Sequence, residues 1–105
     1  MGPNSKIECD VMDLVCKYLN LGKWLLTRHA IERMLLRGIT SPEIEYAMQF
    51  GFHEKKRDQY SEKGTRYALR GKCVDGKELR IVVSFREQMM IVTVIDLDAS
   101  PDFET

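Results

Sequence analysis

The chain has 105 residues, of which 44% are hydrophobic and 30% are charged, and its formal net charge is zero. This length and composition predict a single globular domain with its own core. No run of 18 apolar residues is present, so we expect no membrane-spanning helix and no membrane partner. The three cysteines show no CxxC or Cys/His spacing, which argues against a zinc site and a disulfide framework. We therefore expect no metal, no cofactor and reduced thiols in a cytoplasmic protein that lacks a secretory signal.

Charge is distributed unevenly along the chain. Residues 23–37 sum to +3 and residues 52–88 to +4, whereas the last seventeen residues sum to −4. A neutral chain with a basic middle can still bind polyanions locally, because counterion release depends on the patch and not on the total charge.

Helical patterns come first in the chain. Residues 6–21 place apolar side chains at three- and four-residue steps, and Gly22 follows as a stop signal. Residues 23–27 are short and apolar, so they form either an edge strand or an extended link. Thr27 is the predicted N-cap of a helix that starts near Arg28 and ends at Gly38. A second start signal follows, in which Ser41 can cap and Pro42 fits the first helical position, while Thr40 and Glu43 also have the capping-box spacing; it predicts a helix to about Phe50.

The helix that starts near Arg28 is amphipathic in an unusual way. At about 100° per residue, His29, Arg33 and Arg37 form one basic stripe. An apolar face lies beside that stripe and is expected to pack on the core; it consists of Ala30, Ile31, Met34 and Leu35.

From Phe52 the period changes to two, which predicts strands. The pattern predicts a polar strand at 52–58, a loop at 59–64 and strands at 65–74, 78–86 and 89–97. Asp75-Gly76 is a hairpin signal, and the last strand is apolar enough to be covered on both faces. The predicted fold is α+β, with N-terminal helices packed on one face of a four-stranded, mainly antiparallel meander. We predict a helical extension at 1–22, one domain at 23–98 and an acidic tail at 99–105.

The basic residues of the predicted strands fall largely on one face of the sheet if the register is as drawn: Arg66, Arg70, Lys72, Arg80 and Arg86. With no P-loop, GxGxxG, nucleophile elbow or HExxH, we do not expect an enzyme built on those motifs. The remaining candidate residues suit chemistry on phosphodiesters, because His29 can act as acid or base while Arg33 and Arg37 hold phosphate. Further residues of the sheet can complete such a site: Arg66, Arg70, Tyr67 and Tyr60.

Each of these features has a structural interpretation as well. His29 at a helix start can cap or pair locally, and Tyr67 can be a core aromatic. Lys55–Arg57 resembles a solvated edge that discourages strand pairing, and His53 within it is predicted to lie on the surface.

Several segments together resemble the domain of unknown function 4258 family. They are the HAIERM run at 29–34, Arg37-Gly38-Ile39, Arg66-Tyr67, the Gly-turned hairpin into residues 79–83, and residues 91–95. The resemblance covers roughly residues 25–97. It implies membership of the broad RelE/ParE/BrnT-like group of small α+β toxins and nucleases, hence a RelE-like fold and an antitoxin partner. The site positions that it implies are His29, Arg33, Arg66, Tyr67, Arg80 and Thr93.

Three functional hypotheses follow from the sequence. The first is a metal-independent endoribonuclease of the toxin type, with catalytic His29, Arg33, Arg66 and Tyr67 and RNA-binding Arg37, Arg70, Arg80 and Arg86. The second is a non-catalytic module that binds RNA or a protein through the same surface, with steep salt dependence in the RNA case. The third is a protein-interaction domain that dimerises through the N-terminal helix.

Overall fold

The computed structural model describes residues 10–99, which contain three α-helices. These are α1 (Val11–Leu21), α2 (Arg28–Arg37) and α3 (Ser41–Gln49). Each begins at a residue whose side chain accepts a backbone hydrogen bond, namely Asp10, Thr27 and Thr40. The predicted cap of α2 is therefore confirmed, and of the two candidates for α3 the cap is Thr40 and not Ser41. Residues 6–9, at the predicted start of the first helix, and residues 100–105 of the predicted acidic tail lie outside the described residues. No described helix is long and apolar enough to cross a bilayer.

Six strands form one mixed sheet in the described residues. Their bounds are β1 (Trp24–Leu26), β2 (Phe52–His53), β3 (Gln59–Ser61), β4 (Gly64–Lys72), β5 (Glu78–Phe85) and β6 (Met89–Asp96). The order is β1-β6-β5-β4-β2, and β3 also pairs with β4. β4, β5 and β6 form the predicted antiparallel meander, whereas β1 pairs in parallel with β6. The α+β class is therefore confirmed, but the sheet has six strands and mixed pairing instead of four mainly antiparallel strands.

The segment between α3 and β4 differs from the predicted strand and loop. β2 ends at His53, a 3₁₀ turn follows at Lys55–Arg57, and β3 then forms a hairpin with β4. The chain leaves the sheet edge here because the Glu54 N–H and the Asp58 carboxylate bond to the backbone of Ala68, in place of a continued strand. The Glu54 N–H donates to the Ala68 carbonyl at 2.8 Å, and the Asp58 carboxylate accepts from the Ala68 N–H at 2.9 Å. Because the N–H and carbonyl groups of Ala68 already have hydrogen-bond partners, no continuous strand is required at this edge.

One hydrophobic core lies between the helices and the sheet. All three helices contribute to it, α1 through Val15, which is fully buried. α3 approaches β4 so closely that a Cβ on Gly71 would overlap the carbonyl oxygen of Ala47. Glycine at residue 71 therefore sets the distance between α3 and the sheet.

α2 is rotated relative to the prediction. Ala30 and Met34 are buried, but Ile31 is 43% exposed and Leu35 is 78% exposed. The buried side is thus centred about 50° away from the middle of the predicted apolar face, towards the basic stripe. The reason lies at the start of the helix, where the Thr27 N–H donates to the Ile91 carbonyl and holds α2 against β6.

β6 contains a bulge at Val92. Val83 pairs with Ile91 and Val82 pairs with Thr93, so Val92 is an extra residue. The bulge shifts the alternation of side chains between the two faces of the sheet by one residue, so Ile91 and Val94 both face the core. The prediction that this strand is covered on both faces is wrong, because Met90, Val92 and Ile95 are only half-buried on the face away from the helices, hereafter the open face.

Candidate nucleic-acid interface

The open face of the sheet carries two groups of basic residues with different partners. The first group is centred on Arg70 and Arg80, which lie directly opposite each other in β4 and β5. Two guanidinium groups at such positions would repel each other. The Glu54 carboxylate bonds to both, at 2.7 Å from Arg80 Nε and 3.2 Å from Arg70 Nη1. Arg70 Nε also bonds to Glu78 at 2.7 Å, so this set, hereafter the Glu54 network, is internally neutralised.

The Glu54 network shifts the pKa values of its members. The hydrogen bond from Arg80, assisted by that from Arg70, lowers the pKa of the Glu54 carboxyl, while burial partly opposes the effect. The hydrogen bonds to Glu78 and Glu54 raise the pKa of the Arg70 guanidinium. Both shifts favour the charged pair, so we expect these two arginines to attract an external anion less strongly than an unpaired arginine would.

The second group of basic residues lines a groove of about 560 Å³ at the other end of the open face. Its cations are Lys63, Arg66 and Arg86, all of which are exposed. None of the three makes an ion pair within residues 10–99, and no acidic residue lines the groove. We call it the basic groove; its other lining residues are Thr27, Gln59, Tyr60, Ser61, Gly64, Thr65, Ser84, Phe85, Met90 and Val92.

Local structure holds the walls of the basic groove in place. The hairpin that carries Lys63 is tightened by the Ser61 hydroxyl, which donates to the Gly64 carbonyl at 3.0 Å and accepts from the Lys63 N–H at 3.2 Å. On the other side, the Thr27 hydroxyl donates to the carbonyl of the bulged Val92 at 2.9 Å. The start of α2 therefore forms a fixed wall of the groove.

The predicted helix residues do not line the basic groove. His29 is exposed two residues after Thr27 and makes no hydrogen bond within the described part of the chain, while Arg33 and Arg37 are half-buried on α2. Of the residues predicted for the site, the structure brings Arg66, Arg86 and Tyr60 together in this groove. Arg70 and Arg80 are held apart from it in the Glu54 network.

Tyr67 packs against the core side of the sheet. Thr93 of β6 pairs with Val82 of β5. The Tyr67 ring lies 5.7 Å from that of Phe85 and 5.8 Å, edge-on, from that of His53. The structural interpretation of Tyr67 as a core aromatic therefore fits its surroundings better than a role beside Arg66, which lies on the open face.

His53 is the ionisable residue that the sequence prediction misplaced. Its side chain is only 19% exposed, so the prediction of a surface position is wrong. Its Nε2 lies 2.8 and 3.0 Å from the two carboxylate oxygens of Asp58, whose side chain is 1% exposed. The partners are five residues apart across a 3₁₀ turn, and neither strand nor helix periodicity predicts that spacing.

Three potential metal ligands lie together on the helix side of the molecule. The donor atoms of Glu43, Cys73 and Asp75 are within 4.8 Å of one another. However, the Glu43 carboxylate accepts the Thr40 N–H of the capping box at 2.8 Å. Burial, assisted by the nearby carboxylates, raises the pKa of the Cys73 thiol and favours its neutral form. Glu43 thus caps α3, Cys73 packs in the core, and the Asp75 carboxylate accepts the Lys77 N–H of the hairpin at 3.0 Å, so each of the three has a structural role.

The fold and its groove define an α+β domain with a basic open face. Residues 26–96, more than half of the chain, match the family model described as Domain of unknown function (DUF4258), so the chain belongs to that family. Neither a curated protein nor a solved structure matches the chain.

Proposed function

We propose that the domain binds the phosphate backbone of RNA in the basic groove. One observation carries the proposal: Lys63, Arg66 and Arg86 are exposed, gathered in one groove, and unpaired with any acidic residue of the described range 10–99. Arg70 and Arg80 provide the internal contrast, because their charges are already compensated by Glu54 and Glu78. Cations without protein partners are those whose contact with phosphate releases counterions most favourably.

A salt titration tests RNA binding. Fluorescence anisotropy of a labelled single-stranded oligoribonucleotide measures affinity for wild type and for the double variant Arg66→Gln/Arg86→Gln. We expect the variant to bind about tenfold more weakly at low salt, and the log–log salt slope to fall by about 1.4, or about 0.7 for each lost contact.

The matched control is Lys17→Gln/Lys72→Gln, which removes two exposed charges that do not line the basic groove. This control should bind as wild type does. Equal weakening of both double variants would show that the effect comes from the net charge and not from the basic groove. Absence of wild-type binding at low salt would refute the proposal.

Metal-independent cleavage of the bound RNA is the second candidate function. It is favoured by the exposed His29 imidazole, which lies in the first turn of α2, two residues beyond Thr27 in the groove wall. Cleavage of labelled RNA by purified protein in EDTA is the assay. If wild type and His29→Ala leave RNA equally intact, the catalytic role of His29 is refuted.

The family resemblance supports a narrower proposal, that the domain is a RelE-like toxin in the cytoplasm whose partner is an antitoxin. Helices that precede an antiparallel meander agree with that fold group. Induced expression of wild type should then arrest growth, and Arg66→Gln/Arg86→Gln should relieve the arrest. Growth that is unaffected by wild type at matched protein levels would contradict the toxin role.

A further inference from the structure

A row of paired residues crosses the open face at the Glu54 network. Phe52 of β2 pairs with Arg70 of β4. Arg70 pairs with Arg80 of β5, which in turn pairs with Ile95 of β6. Residues that pair directly in neighbouring strands point to the same face of a sheet, so Phe52 lies on the open face with the two arginines. Phe52 is 56% exposed and, with Arg80 and Ile95, lines a cavity of about 910 Å³, hereafter the second cleft.

The second cleft also has cations without acidic partners. Lys55, Lys56 and Arg57 line it, all three are exposed, and none makes an ion pair within residues 10–99. The acidic residue of the lining, Glu54, is already engaged by the two arginines of its network. The turn at Lys55–Arg57 therefore offers its charge to an external anion, beside an exposed aromatic side chain.

The turn that carries these cations lies between the second cleft and the basic groove. The residues on both sides of the turn bond to the backbone of Ala68. Ala68 lies midway in β4 between Arg66, which lines the basic groove, and Arg70. These two arginines are about 13 Å apart along the strand, at about 3.3 Å per residue. Because Gln59 lines both cavities, the groove and the cleft adjoin and form one cationic path along the open face.

We propose that the open face binds RNA as a single strand, which runs from the basic groove into the second cleft and stacks a base on Phe52. This inference rests on the proposed function and adds the strandedness of the ligand. In an RNA duplex the bases stack on one another, and a protein reaches mainly the phosphates and the 2′-hydroxyls. An exposed aromatic side chain among cations instead suits an unpaired base, because every base has a face that can stack. The basic groove has a second such side chain, Tyr60, which is 70% exposed.

Phe52→Leu tests the stacking, because leucine keeps an apolar side chain and removes the aromatic ring. Fluorescence anisotropy measures the affinity for a labelled single-stranded oligoribonucleotide and for a duplex of the same length. We expect wild type to bind the single strand about tenfold more tightly than the duplex, and Phe52→Leu to lose about tenfold in affinity for the single strand. Its duplex affinity and its salt slope should equal those of wild type, because no charge is lost.

Phe50→Leu is the matched control, because Phe50 is 71% exposed but lines neither cavity. It should bind both RNAs as wild type does. Phe52→Trp keeps an aromatic surface and should retain the affinity for the single strand. Its fluorescence should be quenched by the single strand and not by the duplex, whereas the fluorescence of wild type, whose one tryptophan is Trp24, should change less.

Lys56→Gln/Arg57→Gln tests the cationic path. The salt slope for the single strand should fall by about 1.4, as it should for Arg66→Gln/Arg86→Gln, and by about 2.8 when all four substitutions are combined, because one strand contacts both cavities. An unchanged slope for Lys56→Gln/Arg57→Gln would show that the strand does not reach the second cleft and would overturn the inference.

Equal or tighter binding of the duplex by wild type would also overturn the inference. So would a Phe52→Leu protein that binds the single strand as tightly as Phe50→Leu does. Each of these results leaves the binding of RNA in the basic groove intact, whereas absence of RNA binding by wild type would instead refute the proposed function.

Discussion

The Thr27 hydroxyl donates a hydrogen bond of 2.9 Å to the carbonyl of Val92, the bulged residue of β6. The same hydroxyl accepts the Ala30 N–H at 3.1 Å as the N-cap of α2. One side chain therefore starts the helix and fastens it to the sheet, and it also forms a wall of the basic groove. The bulge of β6, the N-cap of α2 and the wall of the basic groove are therefore linked through this one hydroxyl.

Replacing Thr27 by valine should destabilise the domain by about 1–2 kcal/mol, because the isosteric side chain loses both hydrogen bonds. Urea unfolding followed by circular dichroism measures the change. Thr27→Ser keeps the hydroxyl and should lose less than half as much. Equal losses for the two variants would show that the methyl group, and not the hydrogen bonds, carries the effect.

Gly71→Ala should destabilise the domain by about 2–3 kcal/mol, because the new Cβ overlaps the Ala47 carbonyl and pushes α3 away from β4. Thermal or urea unfolding provides the measurement. Gly38→Ala is the control. An alanine at the φ of 67° found there is strained by about 1 kcal/mol, but its Cβ meets no atom within 4 Å. A smaller loss at Gly71 than at Gly38 would contradict the close approach of α3.

Glu54→Gln should make stability less dependent on pH in the acid range. The pKa of Glu54 is lowered in the folded protein, so its stabilisation is present above the ordinary value of 4.5 and is lost as pH falls through the folded value. Unfolding free energies between pH 3 and pH 7 measure the effect. The variant should be less stable by about 1–2 kcal/mol at pH 7 and should approach wild type at low pH. A constant difference across this range would show that the charge of Glu54 contributes nothing.

Cys73 should resist alkylation in the native protein. The residue is 3% exposed and the pKa of its thiol is raised, chiefly by burial, so the reactive thiolate is scarce. In a variant that keeps only this cysteine, Cys9→Ser/Cys16→Ser, iodoacetamide should label at least about 100-fold more slowly than in urea. The stabilisation by the protonated thiol is complete below its ordinary pKa and is lost as pH rises through the raised value. Comparable labelling rates with and without urea would refute burial of the thiol.

Much of the local structure was predictable because contiguous residues encode it. Thr27 and the Thr40–Glu43 box specify helix starts through hydrogen bonds to backbone groups within three residues. The Asp75-Gly76 signal correctly placed a hairpin between β4 and β5, where Gly76 has a φ of 92°. The shared face of the basic strand residues followed from side-chain alternation, and the direct pairing of Arg70 with Arg80 agrees with it.

The candidate site was only partly predictable. Arg66 and Arg86 were identified by their alternation on neighbouring strands, and both line the basic groove. The Glu54 network was not predicted, because the carboxylate reaches Arg80 across 26 residues of sequence. The His53–Asp58 pair was missed because the intervening 3₁₀ turn has no hydrophobic pattern to mark it.

The sequence by itself determined the three helices, the cap of α2, the meander and the uneven charge. Only the tertiary structure decided the parallel pairing of β1 with β6, the rotation of α2, and which arginines are neutralised. The physical reason is the range of the interactions. Caps, turns and periodicity arise between residues a few positions apart, whereas strand partners, helix rotation and ion pairs depend on which distant segments meet in the packed core.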